Sequence, residues 1–112
     1  MEYRRITDDY SVAGQITPDQ IADIKAAGFR SVICNRPDDE QPGQPAADSV
    51  KAAAEAAGLE FRYVPVVSGQ ITAEDVDQMA AALDELPAPV FAYCRSGARC
   101  TNLHLLVQQA RG

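Results

Sequence analysis

Pro89-Val90-Phe91-Ala92-Tyr93-Cys94-Arg95-Ser96-Gly97-Ala98-Arg99 places an apolar run, a cysteine, a loop of small residues and an arginine in immediate succession. The apolar run predicts a short buried strand, and a helix start follows the arginine. A cysteine at that junction sits where successive backbone N–H groups, the positive end of a helix and the Arg99 guanidinium all favour negative charge. The same features lower a thiol's pKa from about 8.5, so one arrangement both binds an oxyanion and supplies a nucleophile. A cysteine at a strand end is otherwise a core residue. Ser96, Gly97 and Arg99 beside Cys94 favour the functional reading.

A chain of 112 residues fits one domain, residues 1–112, with a core large enough to need neither disulfides nor metal. Sixteen acidic against ten basic residues give a formal charge of −6, which argues against a nucleic-acid or anionic-membrane surface but leaves room for one local basic pocket at Arg95 and Arg99. Three cysteines without a CxxC pair, and no signal-like or membrane-length apolar segment, point to a cytosolic protein with reduced thiols. Neither a cofactor nor a metal is called for.

Outward from the central stretch, Thr17-Pro18-Asp19-Gln20 predicts a helix start, with Ile21 and Ile24 on one face and Gly28 at the end. Arg30 to Cys34 predicts a strand, Asn35 to Pro45 a polar loop, Ala46 to Ala57 an Ala-rich helix closed by Gly58, and Phe61 to Val67 the next strand. Thr72 caps a further helix whose Val76, Met79, Leu83 and Leu86 follow helical spacing, with Met79 a core residue. Tyr3 to Ile6 and Tyr10 to Val12 are weaker strands around the turn Thr7-Asp8-Asp9. The last helix begins near Cys100 and is short at Arg111-Gly112, as if a longer parent protein continued it. Lys25 and Lys51 read as solvated, Gly69 as a turn residue, and His104, the single histidine, as a partly exposed helix residue rather than a base.

This alternation predicts an α/β fold, a mainly parallel sheet flanked by helices. Ligands gather at the carboxyl ends of such strands, so the loops after Cys34, Val67 and Tyr93 should converge.

The phrases Gly14-Gln15-Ile16-Thr17-Pro18, Gly28-Phe29-Arg30-Ser31-Val32-Ile33, Asn35-Arg36-Pro37-Asp38 with Gly43-Gln44-Pro45, and Tyr93-Cys94-Arg95-Ser96-Gly97 together resemble one bacterial family. It is the phosphatase-like domain of beta-lactamase-hydrolase-like proteins, with a fold of the dual-specificity and tyrosine-phosphatase kind, sometimes fused to a metallo-hydrolase domain. The resemblance spans nearly the whole chain. It implies that Cys94 is the nucleophile, that Arg99 binds phosphate, and that Arg95, Ser96, Gly97, Ala98 and Cys100 complete the oxyanion cradle. It further implies a phosphorylated small molecule or phosphoprotein as substrate and a fused or partner metallo-hydrolase.

Against the wider tyrosine-phosphatase pattern, four residues instead of five separate Cys94 from Arg99, Tyr93 replaces a histidine, and Ser68 stands where dual-specificity enzymes carry an aspartate. Asp38, Asp39, Glu74 and Asp75 are the candidate proton donors, and Asp38 is preferred because it follows a predicted strand directly. Arg36 either faces the pocket or pairs with a neighbouring aspartate. The short loop is rhodanese-like, which keeps a second reading open: sulfur transfer through a Cys94 persulfide, with a sulfur donor and acceptor as partners. A third reading is a non-catalytic module that binds an oxyanion or senses redox state. Cys100 is expected beside the Cys94 sulfur, with Cys34 a buried core cysteine.

Overall fold

The computed structural model describes residues 1–112. Five strands, β1 (Arg4–Thr7), β2 (Tyr10–Ala13), β3 (Ser31–Cys34), β4 (Glu60–Tyr63) and β5 (Val90–Tyr93), form one sheet in the order β1-β2-β5-β3-β4. β1 is an antiparallel edge joined to β2 by a tight turn, and the other neighbours are parallel. The helices are α1 (Ile21–Ala26), α2 (Ala47–Ala56), α3 (Ala73–Glu85) and α4 (Ala98–Arg111). None is long and apolar enough to cross a membrane.

β5 is central, and all four of its residues are buried. Side chains alternate across a strand, so Val90 and Ala92 join the core under α3 and α4, with Met79, Leu103 and Val107, while Phe91 and Tyr93 join the core under α1 and α2, with Ile24, Val32 and Val50. The apolar run is therefore continuous because both faces are covered.

Thr72 caps α3 through a reciprocal pair with Asp75: the Asp75 N–H donates to Thr72 Oγ1 at 3.1 Å, and the Thr72 N–H donates to Asp75 Oδ2 at 3.0 Å. The predicted start at Thr17 becomes a short 3₁₀ turn, Pro18–Gln20, before α1. Two expectations change. The strand predicted over Phe61–Val67 pairs only to Tyr63, because its partner β3 ends at Cys34, opposite Tyr63; Pro65 costs the ladder nothing, since on this edge strand position 65 faces away from β3. Beyond Tyr63 the chain stays extended, with the Val64 and Val66 N–H groups donating to the Cys34 and Asn35 carbonyls at 2.9 and 3.0 Å. α4, expected to be short from Cys100, starts at Ala98 and runs for 14 residues.

Candidate active site

Cys94 follows β5 on the face of Val90 and Ala92, so it is directed toward the first turn of α4. Gly97 reverses the chain with φ of 93°, a conformation that favours glycine, and its N–H donates to Cys94 Sγ at 3.1 Å. The Cys100 thiol donates to the same sulfur. That bond, helped by the amides of Cys100, Ser96 and Gly97, lowers the Cys94 pKa to about 5 against the opposing effect of burial. Burial and the adjacent thiolate push the Cys100 thiol well up, and burial raises that of Cys34. Of three buried cysteines, then, one is the thiolate at neutral pH.

Gly14 lets the loop lie against the end of β2. The Cys94 N–H donates to the Ala13 carbonyl at 3.2 Å and the Gln15 N–H to the Arg95 carbonyl at 3.3 Å. A Cβ on Gly14 would stand 2.9 Å from the Arg95 oxygen, closer than real Cβ contacts come, and one on Gly97 would meet the Ala13 backbone at 3.5 Å.

Beside the loop is a cavity of about 640 Å³ lined by Arg36, Glu40 and Gln41 from the loop after β3, Ser68 from the segment after Val67, and Arg95, Ser96, Ala98 and Arg99. The three loops expected to converge do so here. Cys94 is 1% exposed and lies beneath the loop rather than in the cavity wall.

A carboxylate organises the cavity's arginines. Glu40 Oε2 accepts from Arg99 Nη1 at 2.7 Å and Oε1 from Arg99 Nη2 at 2.9 Å, while Oε1 also accepts from Arg36 Nε at 2.8 Å. Arg99 Nη1 donates further to the Val66 carbonyl at 3.0 Å. A guanidinium has five N–H donors. Those bonds use one end of Arg99 and leave Nε–H and one Nη2–H, parallel along the opposite edge, for a bidentate oxyanion. Arg36 is fixed as well, donating to Gln15 Oε1 at 3.0 Å and Gln41 Oε1 at 3.1 Å. Arg99 first, then Arg36, hold the Glu40 carboxyl at about 2, and Glu40 in turn raises the Arg99 pKa.

Of the residues singled out in sequence, Arg95, Ser96, Ala98 and Arg99 line the cavity, and Gly97 and Cys100 contact the Cys94 sulfur. The Gly97 N–H, expected to face an oxyanion, is turned onto that sulfur. Asp38 is elsewhere: its carboxylate accepts the Ala47 N–H at 2.8 Å, satisfying a free donor at the start of α2, and its own N–H donates to Tyr63 Oη at 3.0 Å. Asp75 is the capping partner of Thr72. His104 stacks on Tyr10 with centroids 4.4 Å apart, on the α4 side of the sheet. Sequence reasoning missed Glu40, Gln41 and Gln15. Glu40 and Gln41 within a polar loop, and Gln15 in the segment after β2, read as solvated, and only the fold places them around Arg36 and Arg99.

Residues 2–111 match the family described as beta-lactamase hydrolase-like protein, phosphatase-like domain. The chain belongs to this family. A beta-lactamase hydrolase-like protein of Agrobacterium fabrum is 37% identical over 112 residues, all of this chain and 26% of the relative. The chain thus spans about a quarter of the length of the curated relatives it matches. Among solved structures, a candidate phosphatase of Neisseria meningitidis superposes with a TM-score of 0.88 at 32% identity, covering 97% of this chain and 78% of that one. Tk-PTP, at 16% identity, shares the fold with a TM-score of 0.65 over 85% of this chain and 63% of its own. The phosphatase-like domain therefore has the mainly parallel, helix-flanked sheet of tyrosine and dual-specificity phosphatases, with its cavity at the carboxyl ends of β3 and β5.

Proposed function

We propose that the phosphatase-like domain, residues 1–112, is a cysteine-dependent phosphatase that hydrolyses phosphomonoesters through a thiophosphate intermediate on Cys94. The observation that carries this reading is a Cys94 thiol held at about 5 near an arginine that lines the cavity and keeps two N–H donors free. Arg99 binds two phosphoryl oxygens side-on, and the Cys94 sulfur attacks phosphorus in line with the leaving oxygen. As the S–P bond forms, charge leaves the sulfur for the equatorial oxygens. The Ser96 and Gly97 amides then follow it, by reorientation of the loop whose pivot is Gly97. Water cleaves the S–P bond and restores the thiolate. Asp38 takes no part in this scheme, because its carboxylate is held on the Ala47 N–H.

The test is turnover of para-nitrophenyl phosphate by wild type and Cys94→Ser, with acid quench and peptide mass measurement. A phosphoryl adduct on the Cys94 peptide is expected; turnover that survives Cys94→Ser would overturn the scheme.

The amides turned onto the Cys94 sulfur serve either chemistry, so the same assay includes sulfur transfer: thiosulfate-to-cyanide transfer without phosphate ester turnover would overturn the phosphatase reading.

A further inference from the structure

The cavity contains one carboxyl group, and it is engaged. Both Glu40 oxygens accept from Arg99 and one also from Arg36, so the group is an ionised acceptor with no proton to give. The Ser68 hydroxyl and the Gln41 amide can hydrogen-bond a leaving oxygen, but neither supplies a proton at neutral pH. An alkoxide expelled into this cavity would leave unprotonated, which strongly disfavours an alkyl monoester.

Arg95 supplies a different means of stabilising a leaving group. It is exposed, it forms no ion pair in a chain of net charge −6, and it borders both the main cavity and an adjoining depression of about 380 Å³. Arg36 and Gln41 border both as well. The depression has no hydrophobic lining residue and the main cavity has only Ala98, so no aromatic wall is present to sandwich a phenyl ring. The two depressions adjoin at Arg36, Gln41 and Arg95, with Arg99 in the wall of the first and Arg95 in the walls of both.

We propose that the substrate is a phosphoric anhydride, a terminal diphosphate carried on a polar small molecule, whose leaving group departs as a phosphate anion stabilised by Arg95. This rests on the phosphatase reading above, in its thiophosphate on Cys94, and puts an anhydride in place of the monoester as the substrate class. In the step, the Cys94 thiolate forms a bond to the terminal phosphorus while the bond from that phosphorus to the bridging oxygen breaks. The electron pair goes to the bridging oxygen, which needs no proton because a phosphate is a far weaker base than an alkoxide. Water then attacks the thiophosphate, releasing inorganic phosphate, the thiolate and one proton to solvent.

The experiment compares kcat/KM of the purified domain for three probes: an alkyl diphosphate, the alkyl monophosphate of the same alcohol, and para-nitrophenyl phosphate, whose leaving group also departs as an anion. The diphosphate is expected to exceed the alkyl monophosphate by about 100-fold, the usual worth of the missing general acid. Arg95→Ala is expected to lower the ratio of diphosphate to para-nitrophenyl phosphate turnover by about tenfold, the worth of one charge-assisted contact. Equal turnover of the two alkyl substrates, or a ratio indifferent to Arg95→Ala, would overturn this proposal while leaving a phosphatase. Failure with all three probes would overturn the phosphatase reading itself, and the substrate class with it.

Discussion

Glu40 grips Arg99 by both terminal nitrogens, at 2.7 and 2.9 Å, from a loop that begins at the end of a different strand. The contact fixes which edge of the guanidinium is left free. It also neutralises one of two buried arginines, since Arg36 shares the same carboxylate. In the proposed scheme Glu40 is a positioning residue, one that would act on the phosphoryl group only through Arg99.

Replacing Glu40 with glutamine keeps an oxygen acceptor but puts an NH2 group against a guanidinium that can only donate. Glu40→Gln is therefore expected to lower kcat/KM for aryl phosphates by roughly 10- to 100-fold, the worth of a charge-assisted bond plus a misplaced catalytic group. The loss should fall on kcat as well as KM, and Glu40→Asp should recover part of it. A Glu40→Gln variant that is destabilised in urea but retains full kcat would show that the carboxylate only holds the loop.

Much of the fold is legible in the sequence because local rules and packing agree there. The run Val90–Tyr93 is a central strand, Thr72 does cap α3, and Gly97 occupies a left-handed turn that small residues announce. What was not legible depends on contacts remote in sequence. Glu40 and Arg99 are separated by 59 residues, so nothing near either one signals the pair. Asp38 shows the opposite case. Its nearness to a strand end suggested the site, whereas the backbone N–H at the start of α2 had the stronger local claim on its carboxylate. Cys100 is legible as a neighbour of the sulfur from the resemblance, which places the side chain directly after the arginine against the nucleophile.

Gly14 is a packing constraint that the sequence showed only as part of a phrase. An alanine Cβ would stand 2.9 Å from the Arg95 carbonyl, and that oxygen already accepts the Gln15 N–H. Gly14→Ala should cost about 1–3 kcal/mol, the range for overpacking a fixed contact. A urea midpoint shifted down at unchanged slope would register it. Because the displaced atom belongs to the Cys94–Arg99 loop, turnover per folded molecule should fall in parallel; a midpoint equal to wild type would mean that the loop yields freely.

Cys94 should be alkylated by iodoacetamide with a pH midpoint near 5. Cys100→Ala removes the main contact holding the thiolate and should raise that midpoint, whereas Cys100→Ser, with a better donor, should not. The sign for stability follows from linkage. The folded pKa is depressed below an unfolded value of about 8.5, so the contribution is complete above that pH and is lost as the pH falls toward the folded value. The stability difference between wild type and Cys94→Ser should therefore grow as the pH is raised from 5 to about 8.5. A difference independent of pH would remove the thiolate from the folded state.

The Cys100 thiol donates to the Cys94 sulfur, so an oxidant meets a thiolate with a second sulfur beside it, and oxidising Cys94 removes the neighbouring negative charge that helps burial hold the Cys100 proton. Peroxide takes the Cys94 thiolate to a sulfenic acid; Cys100 sulfur then attacks it, forming the S–S bond and releasing water. The competing thiol, Cys34, is bonded to the Arg36 carbonyl at 3.3 Å and belongs to the core on the other face of the sheet. Mild peroxide should therefore inactivate the domain reversibly, with dithiothreitol restoring activity and peptide mapping showing a Cys94–Cys100 link. In Cys100→Ser the same treatment should carry Cys94 on to the sulfinic acid, and reductant should no longer rescue it. Recovery in Cys100→Ser equal to wild type, or a Cys34–Cys94 link in the map, would show that Cys100 is not the resolving thiol.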